Sequence, residues 1–342
     1  DFCLSRGLGD VYKRQCLHNV GFFIKHQYET PSPISFPPLL NLQSDIDRIE
    51  AAEDRDVGEY AAQNWNEFSI YLGGESKFPN LHKQIPYPVD DSSILPFYDL
   101  QAFLSSSDNS YLNTINIIGN PFSYPYKAEL MDLLYSIPVK KNFYLTASTA
   151  CRFIKEIQQI DLPNYELYIY YEQEEASIHH ILTEKQIPFH WIYLISSEKQ
   201  YEDLEKLETK YGNEYVEVHP IYTGDNLPFF EENVYLAEED ILQSNYDKQD
   251  IFAHQVMNTN FWGRLSVLPD GKVYSNLNHP PLGTLKDRVY DLIVDEMTSK
   301  RAWRWIRDEV SPCKDCLFRY LCPSPSNYEL VIGKPNLCHV KP

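Results

Sequence analysis

Residues 142–195, NFYLTASTACRFIKEIQQIDLPNYELYIYYEQEEASIHHILTEKQIPFHWIYLI, switch back and forth between two periodicities. Residues 142–146 (NFYLT), 165–171 (YELYIYY) and 189–195 (FHWIYLI) are short runs rich in aromatic and apolar side chains, the composition of strands. Residues 149–159 and 175–186 lie between them with apolar positions at helical spacing. Strands alternating with helices predict a parallel sheet covered by crossover helices.

The same rhythm extends in both directions. Upstream, residues 67–72 (EFSIYL) read as a strand ended by Gly73-Gly74, and residues 114–118 (TINII) as another. Residues 126–136 read as a helix with Leu130, Leu133 and Leu134 on one face. Downstream, residues 199–211 read as a helix stopped by Gly212, and residues 214–221 (EYVEVHPI) as a strand. About six strand–helix units do not complete an eight-unit barrel, so an α/β partial barrel or open sheet is expected. Residues 16–65 are broken by Pro31, Pro33, Pro37 and Pro38, with a helical pattern only over 45–53. Beyond about 225 the rhythm stops. Residues 264–268 and 272–276 around Pro269-Asp-Gly271 read as a hairpin, followed by helical stretches over 288–297 and 300–309. The expected organisation is an irregular remnant over 16–65, the barrel over 66–250 and a small unit over 251–342.

The first fifteen residues stand apart. Asp10-Val-Tyr-Lys-Arg-Gln15 resembles the translation of a transposon-end adapter, so residues 1–15 are set aside as non-native. Cys3 is then not native, and a segment before Cys16 is expected to be missing.

Composition bounds the rest. The chain has 342 residues, long enough for one large and one small unit. It carries 30 basic and 49 acidic residues, for a net charge of -19, which repels phosphate backbones and excludes non-specific nucleic-acid binding. A basic peptide partner is compatible with that field. No apolar run is long enough for a membrane span, and no signal peptide is visible, so a cytoplasmic location is expected. In a reducing compartment clustered cysteines point to metal or catalysis before disulfides.

One such cluster is present: Cys313-x2-Cys316-x5-Cys322-x15-Cys338. Two residues between the first pair let both thiolates reach one metal while backbone amides face the sulfurs. Four thiolates complete either a zinc tetrahedron or a cubane iron–sulfur cluster. Pro312, Pro323, Pro325 and Pro335 make this a stiff, loop-rich cap that needs metal to offset loop closure. From spacing alone, zinc leads.

Residues 258–338 resemble the SPASM domain, the C-terminal extension of radical SAM peptide-maturing enzymes. The matching pieces are residues 263–274 (GRLSVLPDGKVY), 282–285 (LGTL) and the cysteine run ending Asn336-Leu-Cys338. A full domain of that type holds two auxiliary [4Fe–4S] clusters. The resemblance implies that the ligands of one are replaced by Asn260 or Phe261, Asn276 and Ser326. The four of the other remain as Cys313, Cys316, Cys322 and Cys338, which moves the expected cofactor from zinc to one [4Fe–4S] cluster.

The radical centre itself is missing. The family requires C-x3-C-x2-C after its first strand, and the chain has no such motif; Pro79-Asn-Leu-His-Lys83-Gln-Ile-Pro86 stands there instead. Ile118-Gly119-Asn120-Pro121 replaces a Gly-Gly-Glu-Pro turn, and Asn120 lacks the charge that would pair with an ammonium. Thr146-Ala-Ser148 stands where Thr-Asn-Gly is common. The chain thus resembles the pseudo-radical-SAM proteins of Bacteroidales peptide-maturation systems, over roughly residues 66–342. The resemblance implies a partial (βα)6 barrel with a SPASM-like metal-binding domain. It also implies no catalytic residues, no use of S-adenosylmethionine, and a precursor peptide or an active radical SAM maturase as partner. The alternatives are a SPASM-type enzyme with altered cluster ligands and a zinc-stabilised binding protein.

The remaining candidates carry blander readings. His179-His180 point about 100° apart on a helix and are expected on a solvated face. Cys151 is expected as a small core residue. Glu172, Glu174 and Glu175 read as a solvated rim. Gly73-Gly74 lacks the Gly-Lys-Ser/Thr of a phosphate loop. Trp303 and Trp305 are expected on a helix packed against the cysteines.

Overall fold

The computed structural model describes residues 64–340, apart from 75, 107–110, 173–175, 201–202, 205–208, 210–215 and 300. The adapter-like segment, the irregular remnant before residue 64, the helix expected over 45–53 and Cys16 lie outside the described residues. So does most of the helix expected over 199–211.

In chain order the main elements are β1 (Glu67–Tyr71), α1 (Phe97–Ser106), β2 (Thr114–Ile118), α2 (Lys127–Ser136), β3 (Lys140–Thr146), α3 (Ala147–Arg152), α4 (Ile154–Ile157), β4 (Tyr165–Tyr170), α5 (Ala176–Glu184), β5 (Phe189–Ile195) and β6 (Val216–Pro220). There follow α6 (Leu227–Asn233), α7 (Glu238–Gln243), α8 (Lys248–His254), β7 (Arg264–Val267), β8 (Lys272–Tyr274), β9 (Gly283–Thr284), α9 (Val289–Ser299) and α10 (Asn327–Ile332). The strands form one nine-stranded sheet in the order β6-β5-β4-β3-β2-β1-β7-β8-β9, with β1 to β6 parallel throughout.

Alternation along each strand decides which face the helices cover. Phe68 and Ile70, Ile115 and Ile117, Phe143 and Leu145, Leu167 and Ile169, and Phe189 and Trp191 all enter one core with the apolar faces of α1, α2, α3 and α5. Strands that follow one another in spatial order, joined by right-handed crossovers, place every helix on the same face. The opposite face is concave. Glu67 on β1 and Glu217 on β6 both act on the Tyr144 hydroxyl of β3, after burial and Tyr168, raising its pKa. The architecture is thus an α/β parallel sheet curled as a partial barrel, its edges at β6 and β9.

The hairpin forms at Asp270-Gly271, with Gly271 at φ 79 and Lys272 N bonded to Asp270 Oδ1 at 3.1 Å. Its first strand, β7, pairs parallel with β1 from Glu67↔Arg264 onward, so the hairpin continues the sheet. The chain could reveal the hairpin but not this long-range partner. Helix α1, which supplies Phe97, Leu100, Phe103 and Leu104 to the core, is absent from the sequence reading. The helix expected over 149–159 is two short ones, α3 and α4, broken at Phe153.

The helix expected over 300–309 does not form; only a 3-10 turn at Arg307–Glu309 does. The buried Glu296 carboxylate accepts from the backbone N–H groups of Ala302 (2.7 Å) and Trp303 (2.8 Å), which reverses the chain after α9. Trp303 is accordingly buried in the main core, donates to Arg264 O at 3.0 Å and packs on Trp262. Trp305 stacks on Phe261. Neither lines the cavity that the four cysteines share. Cys151 is exposed, because α3 buries Ala147 and Ala150 and the next residue turns away. His179 is half-buried: Trp191 Nε1 donates to its Nδ1 at 3.3 Å, while His180 is exposed. Glu172 pairs with Lys77 and accepts from Ser148 N at 3.1 Å. Glu174 and Glu175 lie outside the described residues.

Candidate metal centre

Three local structures deliver the four thiols to one cavity. Cys313 opens a 3-10 turn after Pro312, and the N–H of Cys316 returns to Cys313 O at 2.9 Å. Cys322 is held by its N–H on Phe318 O at 2.9 Å. Cys338 is placed by a bridge to Leu236, with Leu236 N on Leu337 O (3.0 Å) and His339 N on Leu236 O (3.0 Å). All four side chains line the same cavity, together with Arg307, Arg319 and Asn336. Cys313 and Cys316 are buried, Cys322 and Cys338 half-buried. Among the described residues, no three or more His, Cys, Asp or Glu side chains stand at the spacing of a ligand set for a single ion.

The surroundings are built for anionic sulfur. Arg307 Nη1 is 3.8 Å from Cys313 Sγ and Asn336 Nδ2 3.2 Å from Cys338 Sγ. The Phe318 amide donates to the Cys316 thiol. Arg319, 5% exposed, pairs with Asp308 at 2.5 Å, and its Nη1 reaches Cys316 O at 3.3 Å. The Arg319 contact is ionic in character, since its Nε has no well-aligned acceptor. Burial pushes the Cys313 and Cys316 thiols up and carries Cys322 up to about 12; the arginines oppose this. A bound metal would take these groups as thiolates and release their protons. The donor set, four thiols inside a rim of arginine and amide donors, fits a thiolate-ligated core.

Arginine 307 was not legible as part of this site. It is buried, pairs with Glu329 at 2.7 Å, and bonds Pro323 O at 3.0 Å and Pro335 O at 3.4 Å. Nothing in its sequence neighbourhood separates it from the nearby Arg301 and Arg304.

The positions read as replaced cysteines are occupied by a polar network. Asn260 Nδ2 donates to Ser324 O at 2.9 Å, Asn276 Nδ2 to Asn327 Oδ1 at 2.8 Å, and Ser326 caps α10 through Tyr328 N and Glu329. Phe261 is buried. Their hydrogen bonds are made within the protein.

The loop after β1 packs on part of the sheet and, with Val89, Asp90, Asp91 and Leu268, also lines a cavity beside the ends of β1 and β7. After β1 the chain turns back, and Leu81, Ile85 and Tyr87 pack on Tyr170 at the end of β4, Ile192 in the middle of β5 and Ile221 just after β6. Tyr170 OH bonds to Pro86 O. Four contacts latch this loop: Asn278 Nδ2 to Lys83 O (2.7 Å), Asn327 Nδ2 to Gln84 O (3.2 Å), Gln84 Nε2 to Tyr222 O (2.9 Å) and Tyr222 N to Gln84 Oε1 (2.8 Å). At the same end Gly119 (φ 109) touches the backbone of Gly73, where a Cβ would lie 2.4 Å from the Gly73 carbonyl oxygen. Asn120 spends its Oδ1 on Phe122 N and Ser123 N at 3.1 and 3.2 Å, and Thr146 caps α3.

No family model matches the chain, and no curated protein matches it. The crystal structure of Streptococcus suis SuiB bound to S-adenosylmethionine superposes with a TM-score of 0.51 at 10% identity, over 80% of this chain and 76% of that one. SuiB bound to precursor peptide SuiA gives a TM-score of 0.48 at 11% identity, over 90% and 83% of the two chains. At such identity the first match establishes the shared α/β fold. No helix among the described residues is long and apolar enough to cross a membrane.

Proposed function

We propose that this chain is a non-catalytic, radical-SAM-like protein of ribosomal-peptide maturation that binds one [4Fe–4S] cluster through Cys313, Cys316, Cys322 and Cys338. The observation that carries the reading is the convergence of these four thiols, 25 positions apart at the extremes, on one arginine-rimmed cavity. Thiols around a cavity, rather than around a point, suit a polynuclear core better than one zinc ion, whose sulfurs sit about 3.8 Å apart for a Zn–S bond of about 2.3 Å. When bound, such a cluster supplies cross-linking of loops that have little core of their own, and an electron site. Residues 251–342 are read as the SPASM-like unit and 66–250 as the barrel.

The non-catalytic part rests on the barrel mouth. Leu81, Ile85 and Tyr87 pack over the β4–β6 side of the face where barrel enzymes assemble their sites, and no thiol lies in that loop. On this reading S-adenosylmethionine is not cleaved, and the partner is a precursor peptide, an active maturase, or both.

Anaerobic reconstitution with iron and sulfide, set beside zinc loading, tests the cofactor. Four irons per chain with absorption near ~400 nm are expected; stoichiometric zinc with no iron uptake sinks the cluster. Release of 5′-deoxyadenosine from S-adenosylmethionine by the reduced protein sinks the non-catalytic reading.

A further inference from the structure

Two buried arginines stand at the thiol cavity, and they face it differently. Arg319 gives its Nη1 to the backbone oxygen of Cys316 at 3.3 Å and pairs with Asp308. Arg307 turns Nη1 onto sulfur itself, 3.8 Å from Cys313 Sγ, and gives Nη2 to Glu329 Oε1 at 2.7 Å. Both members of this second pair are buried. Arg307 lines the cavity and Glu329 does not, so the pair stands with its positive end toward the sulfurs.

The influence of Arg307 spreads over most of the centre. Burial acts first on the thiols of Cys313, Cys316 and Cys322 and pushes all three up, and Arg307 opposes it at each of them. The fourth sulfur, that of Cys338, takes a neutral donor, Asn336 Nδ2 at 3.2 Å.

We propose that Arg307 sets the reduction potential of this centre, its guanidinium favouring the reduced form and Glu329 attenuating it. The inference deepens the cluster reading above and rests on it. One-electron reduction adds a negative charge to a core that four thiolates have already made anionic. Net charge and hydrogen bonds to sulfur are the levers a protein holds over that equilibrium. The electron comes from a one-electron donor of lower potential; no bond forms or breaks, and no proton moves. A guanidinium beside the sulfurs stabilises the more negative, reduced form more than the oxidised one. Salt screens buried charges little, so the effect persists at physiological ionic strength. A zinc centre has no second redox state for such a charge to select. Arg307 also bonds Pro323 O and Pro335 O, which fastens two loops of the cap. Fastening needs the hydrogen bonds of the side chain; setting a potential needs its charge.

The test is a dithionite potentiometric titration of the anaerobically reconstituted full chain, followed by the paramagnetic signal of the reduced form. Iron and zinc are counted on every sample. Wild type is compared with Arg307→Gln, Arg307→Lys and Glu329→Gln; the last retains an oxygen for Ser326 N and Oγ. At the wild-type midpoint, Arg307→Gln should lower the ratio of reduced to oxidised protein at least about tenfold, a shift of about 59 mV for one electron. Arg307→Lys keeps the charge and loses the planar fork, so it should stay within about threefold of wild type. Glu329→Gln should raise the ratio at least about threefold. Opposite signs for the two partners report charge, because lost fastening weakens both variants alike. An unmoved ratio in either iron-loaded variant, shifts of the same sign, or a loaded wild type that dithionite leaves oxidised overturns the proposal. Where one neutral variant does not load iron, the other decides; failure of both assigns Arg307 to fastening alone and overturns it too. Zinc uptake with no iron removes the proposal together with the cluster reading, whereas iron-loaded variants with unmoved potentials remove the proposal and leave the cluster standing.

Discussion

Arg307 and Glu329 form an ion pair of 2.7 Å in which the side chains are 8% and 3% exposed, and the same guanidinium reaches Cys313 Sγ at 3.8 Å. The pair joins the thiol cavity to α10. From α10, Asn327 reaches the backbone of Gln84 in the loop after β1. One contiguous set of polar contacts therefore links the candidate metal centre to the barrel.

Breaking the pair should be costly. Glu329→Ala leaves a buried guanidinium without its counter-charge and removes the acceptor of Ser326 N and Oγ. A loss of about 3–5 kcal/mol is expected, read by urea unfolding, along with reduced metal uptake. A change within 0.5 kcal/mol, the scale of an ordinary surface substitution, would show that the pair holds nothing together.

Metal should fold the cap. Cys316→Ser removes one of the four proposed ligands, and the loops over 310–338 have few buried apolar anchors besides Val310 and Leu337. Hydrogen exchange over 313–338 is expected to accelerate strongly in the variant and in chelator-treated protein. Identical exchange with and without metal contradicts a structural centre.

The latch predicts coupling over distance. Asn278→Ala deletes the bond to Lys83 O, about 1 kcal/mol or roughly fivefold in a local opening equilibrium. Exchange of residues 81–87 should rise by that factor while β3 and β4 stay unchanged. Removing metal should raise exchange in the same loop, through Arg307, Glu329 and Asn327. A loop indifferent to both changes is not latched.

The same loop should loosen in acid. Burial first, then Lys83, lowers His82 to about 4 from an ordinary 6.5. The unfolded segment then binds a proton more readily than the folded one between those values. The contribution of neutral His82 is full above about pH 6.5, and it is lost as pH falls toward 4. Exchange of the loop should climb over that window, and the difference between wild type and His82→Gln isolates this residue from carboxylates titrating lower down. A pH profile unaltered by His82→Gln removes the assignment.

Much of the architecture is local and was readable. Strands at residues 114–118 and 189–195 lie where their composition predicts, and Leu130, Leu133 and Leu134 are buried on α2. Helix α1 was missed because Phe97, Tyr98 and Phe103 mark a strand as readily as a helix. The stretch over 300–309 failed for a different reason. Its helical spacing competes with one buried carboxylate, Glu296, that takes its backbone N–H groups, and no local pattern reports such a partner.

What residue order by itself determined is periodicity and chemistry: parallel βα units, a hairpin at Asp270-Gly271, four thiols at ligand spacing, and no thiols behind β1. Those features depend on neighbours a few positions apart. Only the tertiary structure decided that β7 extends the sheet beside β1, that Arg307 faces Cys313, that Leu81 and Tyr87 pack on Tyr170 and Ile192, and that Tyr144, Tyr168 and His190 stack. Each of those depends on sheet curvature and on partners far apart in the chain, brought together by burial and by the closure of long loops. Local sequence spacing does not encode such distances.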